Sequence, residues 1–204
     1  MSELFSNFIF FFAVIDPIGT VPVYIAVTRA YSDSDRRAIA LKSTLFAFLV
    51  LLFFVIAGEP ILNAIEIPVE AFQIAGGIIL FLFALTMIFG DSKPEEELRM
   101  VRKAHEAAIF PLAVPSLASP GAMLTAVLLT DNSRYSIVEQ AITSAVMLSV
   151  LLVALVLMLG ASFVHRLIGD AGAGIISRVM GMILSSVAVA NVLAGVQGYF
   201  GLGP

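Results

Sequence analysis

Leu49-Val50-Leu51-Leu52-Phe53-Phe54-Val55-Ile56 is apolar at every position. A surface helix keeps a polar stripe, and a strand of a membrane barrel alternates apolar with polar side chains; this stretch does neither. It suits a helix whose whole circumference meets hydrocarbon, since in lipid a helix satisfies its own backbone N–H and C=O groups. The stretch lies inside residues 43–58, which carry no Asp, Glu, Lys, Arg or His. Residues 71–90, 107–130, 140–164 and 179–204 are equally free of ionisable side chains. Hydrocarbon about 30 Å thick needs roughly 20 apolar residues per helix.

A sixth apolar run, Leu4 to Thr28, contains a single ionisable residue, Asp16. Six transmembrane helices are therefore expected, in one all-α membrane domain over residues 1–204. With 60% hydrophobic and 13% charged residues and a mean hydropathy of +1.04, the composition excludes a water-soluble globular fold. No Lys or Arg precedes the first run and no small-residue cleavage site follows it, so the run reads as a retained helix. The chain has no cysteine, which removes disulfides, thiolate metal sites and cysteine nucleophiles.

Charges gather in five loops, at about 29–42, 59–70, 91–106, 131–139 and 165–178. Loops one, three and five hold ten of the eleven Lys and Arg residues; Arg134 alone lies in the others. The positive-inside bias then puts the odd loops in the cytoplasm and both termini outside. The linker 91–106, with pairs such as Glu95/Arg99 and Arg102/Glu106, reads as a short solvated helix beside lipid headgroups.

Three helices precede that linker and three follow it, so a repeat of 1–90 in 107–204 must be inverted in the membrane. A shift of 103 residues brings Pro17 onto Pro120, and a shift of 105 brings Gly76 and Gly90 onto Gly181 and Gly195. The expected architecture is two inverted three-helix repeats.

Helices one and four carry the elements of a mid-membrane break. In Asp16-Pro17-Ile18-Gly19-Thr20-Val21-Pro22, each proline removes a helical donor, freeing the carbonyls of Ala13 and Ile18, and Gly19 eases unwinding. Pro111, Pro115 and Pro120 with Gly121 act alike in helix four. Unwound backbone is tolerated at depth only inside protein or beside a polar cavity, so the two breaks should meet. There they would offer carbonyls to cations and half-helix N-termini to anions.

Asp16 has two readings. It can be an N-cap for the half-helix starting at Pro17, where proline suits the first position. It can also bind a proton, a cation or a substrate ammonium, since a mid-membrane carboxylate costs about 2.5–3.5 kcal/mol and needs a reason. Thr20, Ser116, Ser119 and Thr125 could add neutral hydrogen bonds to such a site, or bond their own preceding turns. In helix six, Gly181, Ser185, Ala188, Asn191 and Gly195 form a small-residue stripe suited to close packing. Asn191 and its counterpart Thr86 are candidates to face the cavity.

His105 and His165 lack a partner at helical spacing, so no metal site is expected. Gly172-Ala173-Gly174 follows no strand and has Ser177 where a dinucleotide loop needs its third glycine, so no cofactor is expected. No catalytic grouping appears, and an enzyme is not expected. The partners expected are the bilayer, a small solute and, through Asp16, a proton, with no nucleic acid; no oligomeric state can be read.

The segment Ile15-Asp16-Pro17-Ile18-Gly19-Thr20-Val21-Pro22, then Pro111-Leu112-Ala113-Val114-Pro115 and Ser119-Pro120-Gly121-Ala122, resembles the MarC family of prokaryotic membrane proteins. Ala75-Gly76-Gly77, Phe89-Gly90 and Arg178-Val179-Met180-Gly181 fit the same pattern, and the likeness spans nearly the whole chain. It departs at Ser119, where the family usually has glycine, and at Thr86, where a longer polar side chain is common. The resemblance implies a multi-pass inner-membrane protein. Some relatives are described as transporters of small neutral amino acids such as glycine and alanine, with coupling to the proton gradient. The expected site combines Asp16, Pro17, Gly19, Thr20 and Pro22 with Pro115, Ser116, Ser119, Pro120, Gly121 and Thr125. Thr86 and Asn191 extend it. An exporter of another small metabolite and a non-transporting scaffold are the alternatives.

Overall fold

The structure, a computed structural model, describes residues 2–29, 31–89, 112–132 and 134–201. These form seven α-helices, one irregular helical turn and connecting turns, with no strand among the described residues. Helices α1 (Ser2–Ile15) and α2 (Thr20–Thr28) are the halves of the first predicted helix, bent by 41° at the intervening break. Then follow α3 (Asp33–Ala64), α4 (Val69–Phe89), the turn Leu112–Leu117, α5 (Pro120–Leu128), α6 (Ile137–Leu159) and α7 (Ala161–Tyr199).

Four segments are long and apolar enough to cross a membrane alone: α3, α4, α6 and residues Gly174–Tyr199 of α7. The bent pair α1–α2 makes a fifth. The sixth expected span, 107–130, begins outside the described residues, as does linker 91–106 with Gly90, Pro111 and His105. Its described part is the Leu112–Leu117 turn and the nine-residue α5.

Helix ends fall where charge and capping place them, and two differ from the loop boundaries read from charge. Ser32 accepts the Asp35 N–H to cap α3, with Asp33 and Asp35 against the positive end of the helix dipole. Helix α3 then runs through Glu59 and Pro60 to Ala64. At 1.5 Å per residue it is about 48 Å long, enough to carry both charged ends past the hydrocarbon. Residues 165–178, expected as a loop, are helical within α7, interrupted at Gly169 with φ 66° and ψ 175°. Clustered charges mark the membrane edge without ending a helix. The positive φ at Gly169, which glycine alone adopts freely, marks the kink.

Helix α4 lies along α7 over much of its length. A Cβ on Gly181 would stand 3.1 Å from the Ala84 carbonyl oxygen, and one on Gly195 would stand 2.9 Å from that of Glu70. The glycines thus let the two backbones touch, which matters because lipid supplies no hydrophobic drive to bring helices together. Phe11, Ile15, Leu51, Leu80, Met87, Leu117, Met147 and Leu184 fill the interior. Phe5, Phe53, Ile56, Phe89 and Leu193 face outward, an apolar exterior suited to acyl chains.

At one end, a polar clamp ties three helices to the 129–136 turn. The Asn132 N–H donates to Glu59 at 2.6 Å, Gln140 donates to Asn132 at 2.8 Å, and Arg134 reaches Asp131 at 3.4 Å and Glu70 at 4.0 Å. Ser136 and Glu139 close a reciprocal capping box at the start of α6.

Candidate functional site

The two breaks come together inside the bundle. The first comprises Asp16 to Gly19, and the second runs from Val114, extended at φ −137° and ψ 122°, to Ser119. The Val114–Pro115 peptide is cis. Thr20 and Ser116 place their hydroxyl oxygens 3.2 Å apart, and the Ser119 hydroxyl donates to the Val14 carbonyl at 2.8 Å. Val14 lies in the last turn of α1, where carbonyls run out of helical partners, so the second break satisfies the first.

Each break is capped in the same way. The Gly19 N–H donates to Asp16 Oδ1 at 3.0 Å, and the Ala122 N–H donates to Ser119 Oγ at 3.1 Å. Both bonds span three residues, the geometry of an N-cap, and Asp16 and Ser119 are separated by the 103-residue shift that pairs Pro17 with Pro120. Asp16 itself sits at φ 49°, a left-handed conformation that Asp adopts more readily than most residues. This ends α1 and turns the chain into the cap.

Asp16 is 1% exposed, and its second oxygen, Oδ2, accepts from the Ser177 hydroxyl at 2.9 Å. Both carboxylate oxygens are therefore engaged, one by backbone and one by α7. The Thr20 hydroxyl donates to the Asp16 carbonyl at 3.1 Å and shares a hydrogen bond with the Ser116 hydroxyl. The break is packed shut: a Cβ on Gly19 would overlap the Asp16 carboxylate and lie 2.7 Å from Ser177 Oγ.

The other expected site residues divide. Pro17 and Pro22 are buried, and the carbonyl of Ile18 freed by Pro22 accepts the Val21 N–H at 3.1 Å. Gly121 is buried against Leu80, and Thr125 bonds its own preceding turn, at the Gly121 carbonyl. Pro115 is half-buried; Pro120, at the first position of α5, is exposed.

Two placements differ from expectation. Thr86 is exposed on the outer face of α4 and donates to its own Phe83 carbonyl, because Ala84 and Met87 take the inward positions of that turn. Asn191 accepts from Gln73 at 3.2 Å between α7 and α4, so a neighbouring amide answers it away from the breaks.

Ser177 is the residue that sequence reading missed, assigned to a loop by nearby Arg166 and Arg178. It stands four residues before Gly181, on the same helical face as the small-residue stripe, and extending the stripe one turn back would have found it.

A narrow crevice lined by Ile18, Val21, Pro22, Val164 and His165 separates α2 from the first part of α7. A wider one of about 230 Å³ opens where Tyr24 of α2 meets the start of α3, at Arg36 and Arg37, the end of α6, at Met158, and the start of α7, at Ala161. Tyr24 donates to the Arg36 carbonyl at 2.9 Å, and Arg36 Nε donates to Thr28 at 3.2 Å, fastening the far end of α2 to α3.

Two breaks pinned to each other deep in an apolar bundle are the features on which the family resemblance rests, and the family model of MarC integral membrane proteins matches residues 1–200. The chain belongs to the MarC family. Among curated relatives, a UPF0056 membrane protein of Methanocaldococcus jannaschii is 35% identical over 191 residues, covering 92% of each chain. One from Aquifex aeolicus is 32% identical over 194 residues, covering 93% of this chain and 90% of its own. The UPF0056 inner membrane protein YhgN of Escherichia coli is 32% identical over 205 residues, covering 97% of this chain and 98% of its own. No solved structure matches the chain. As a MarC protein it is an integral membrane protein, and its apolar helices cross the bilayer several times.

Proposed function

We propose that this MarC protein is a secondary transporter that moves small neutral amino acids of glycine or alanine size across the cytoplasmic membrane without converting them. The observation that carries the reading is the pair of polar-capped breaks buried against each other, Asp16 with Gly19 and Ser119 with Ala122. Broken helices at depth recur where transporters bind solutes, because they expose carbonyls and amide N–H groups without exposing them to lipid. On a zwitterion, half-helix amides would take the carboxylate, and Asp16 with the freed carbonyls would take the ammonium. Thr20, Ser116, Ser119 and Gly121 are small, so the site would take only a compact ligand once the break opens.

The architecture goes with this reading as six spans in two inverted halves, 1–90 and 107–204, with both termini outside. Exchangeable packing supports it: α1–α2 lies against α6 as the second break and α5 lie against α3, while α4 and α7 pair with each other. Residence in the cytoplasmic membrane accords with the printed name of the Escherichia coli relative. A purely structural role for the breaks is the second reading, favoured by the lack of free space beside Gly19.

Counterflow of labelled glycine or alanine in proteoliposomes separates the two. Competable flux is expected; none with any small neutral amino acid sinks the substrate assignment. In Asp16→Asn, proton-driven accumulation should fail, while counterflow persists with a raised half-saturation concentration. If accumulation survives as well, Asp16 is only a cap.

A further inference from the structure

We propose that Ser177 is a site residue of the transporter, its hydroxyl holding the Asp16 carboxylate oxygen that a substrate's primary ammonium group must take. The assignment rests on the transport reading above. Asp16 Oδ1 belongs to the Gly19 amide, a bond that forms the break itself, so Oδ2 is the oxygen a ligand can claim. Ser177 Oγ donates to Oδ2 at 2.9 Å from a residue 161 positions away, with both side chains buried.

The hydroxyl supplies one neutral donor. An ammonium supplies three and a positive charge, and although either group makes a charge-assisted bond to the carboxylate, only the ammonium adds the attraction of opposite charges in a low-dielectric interior. The exchange therefore favours the ligand once it arrives. Room for it must come from α7, because Gly19, Asp16 and Ser177 are already in contact. The kink at Gly169 lies eight residues before Ser177, with open space where an added Cβ would stand, and marks the point at which α7 is already bent. Ligand entry and withdrawal of Ser177 then become one event.

Ser177→Ala removes the competing donor. In counterflow, the half-saturation concentration for alanine should fall about ten-fold. Since the chain has no cysteine, Ser177→Cys gives a unique thiol whose labelling by N-ethylmaleimide should accelerate with saturating alanine. That measurement also serves if the alanine variant does not fold. Flux in the unsubstituted protein with an unchanged half-saturation in Ser177→Ala, or labelling indifferent to alanine, overturns the role of Ser177 alone. Absence of flux in the unsubstituted protein overturns the transport reading and this assignment together.

Discussion

Ser119 and Asp16 do the same structural work with different chemistry, and the difference separates capping from function. Ser119 bonds the Ala122 amide and the Val14 carbonyl, so Ser119→Ala loses a cap and leaves an unmet carbonyl at depth. Its cost should be about 1–3 kcal/mol, read as a lowered midpoint of thermal unfolding in detergent. Ser185→Ala is the control, because Ser185 is exposed and bonds only its own turn; it should stay within about 0.5 kcal/mol. Gly19→Ala should cost about 1–3 kcal/mol and abolish counterflow, since the added methyl runs into the Asp16 carboxylate and Ser177. A Gly19→Ala protein with normal flux would show that the break opens further than its packing allows. The breaks were legible because proline and glycine act locally: Pro17 and Gly19 disrupt a helix whatever surrounds them. The Ser177 partnership was not, because it joins residues that only folding brings together.

Among the elements, α4 and α7 show how a membrane helix pair is specified without hydrophobic drive. Gly181→Val would push a branched side chain into Met87, whose Cβ stands 2.9 Å from the position of an added Cβ, and into the Ala84 carbonyl. It should cost about 1–3 kcal/mol and broaden the monodisperse peak on size exclusion. The outward substitution Leu82→Phe on α4 should do neither, since Leu82 is 58% exposed. The small-residue stripe on α7 announced this contact. It did not announce that Asn191 would meet Gln73 or that Thr86 would face outward, because those depend on the rotation of α4 about its axis. Thr86→Val is accordingly expected to leave counterflow within about twofold.

For the whole molecule, orientation is the property most open to direct test. Single cysteines at Ser34, before the charged turn of α3, and at Ile65, after its end, are both exposed and lie at opposite ends of one helix. Ser34→Cys should react with an impermeant maleimide only in inside-out vesicles, and Ile65→Cys only in right-side-out ones. The reverse pattern would overturn the orientation drawn from the ten clustered basic residues. The solvent, the α-helical class, most of the membrane spans and the two places where helices break were all legible along the chain. Hydropathy, charge and proline chemistry act through the chain's neighbours along the sequence and through the bilayer. Folding in three dimensions settled that the second break satisfies the backbone of the first, that residues 165–178 continue as helix, and that Ser177 holds Asp16. Those outcomes depend on which helix faces lie against one another, and packing of glycine against backbone sets that choice in three dimensions.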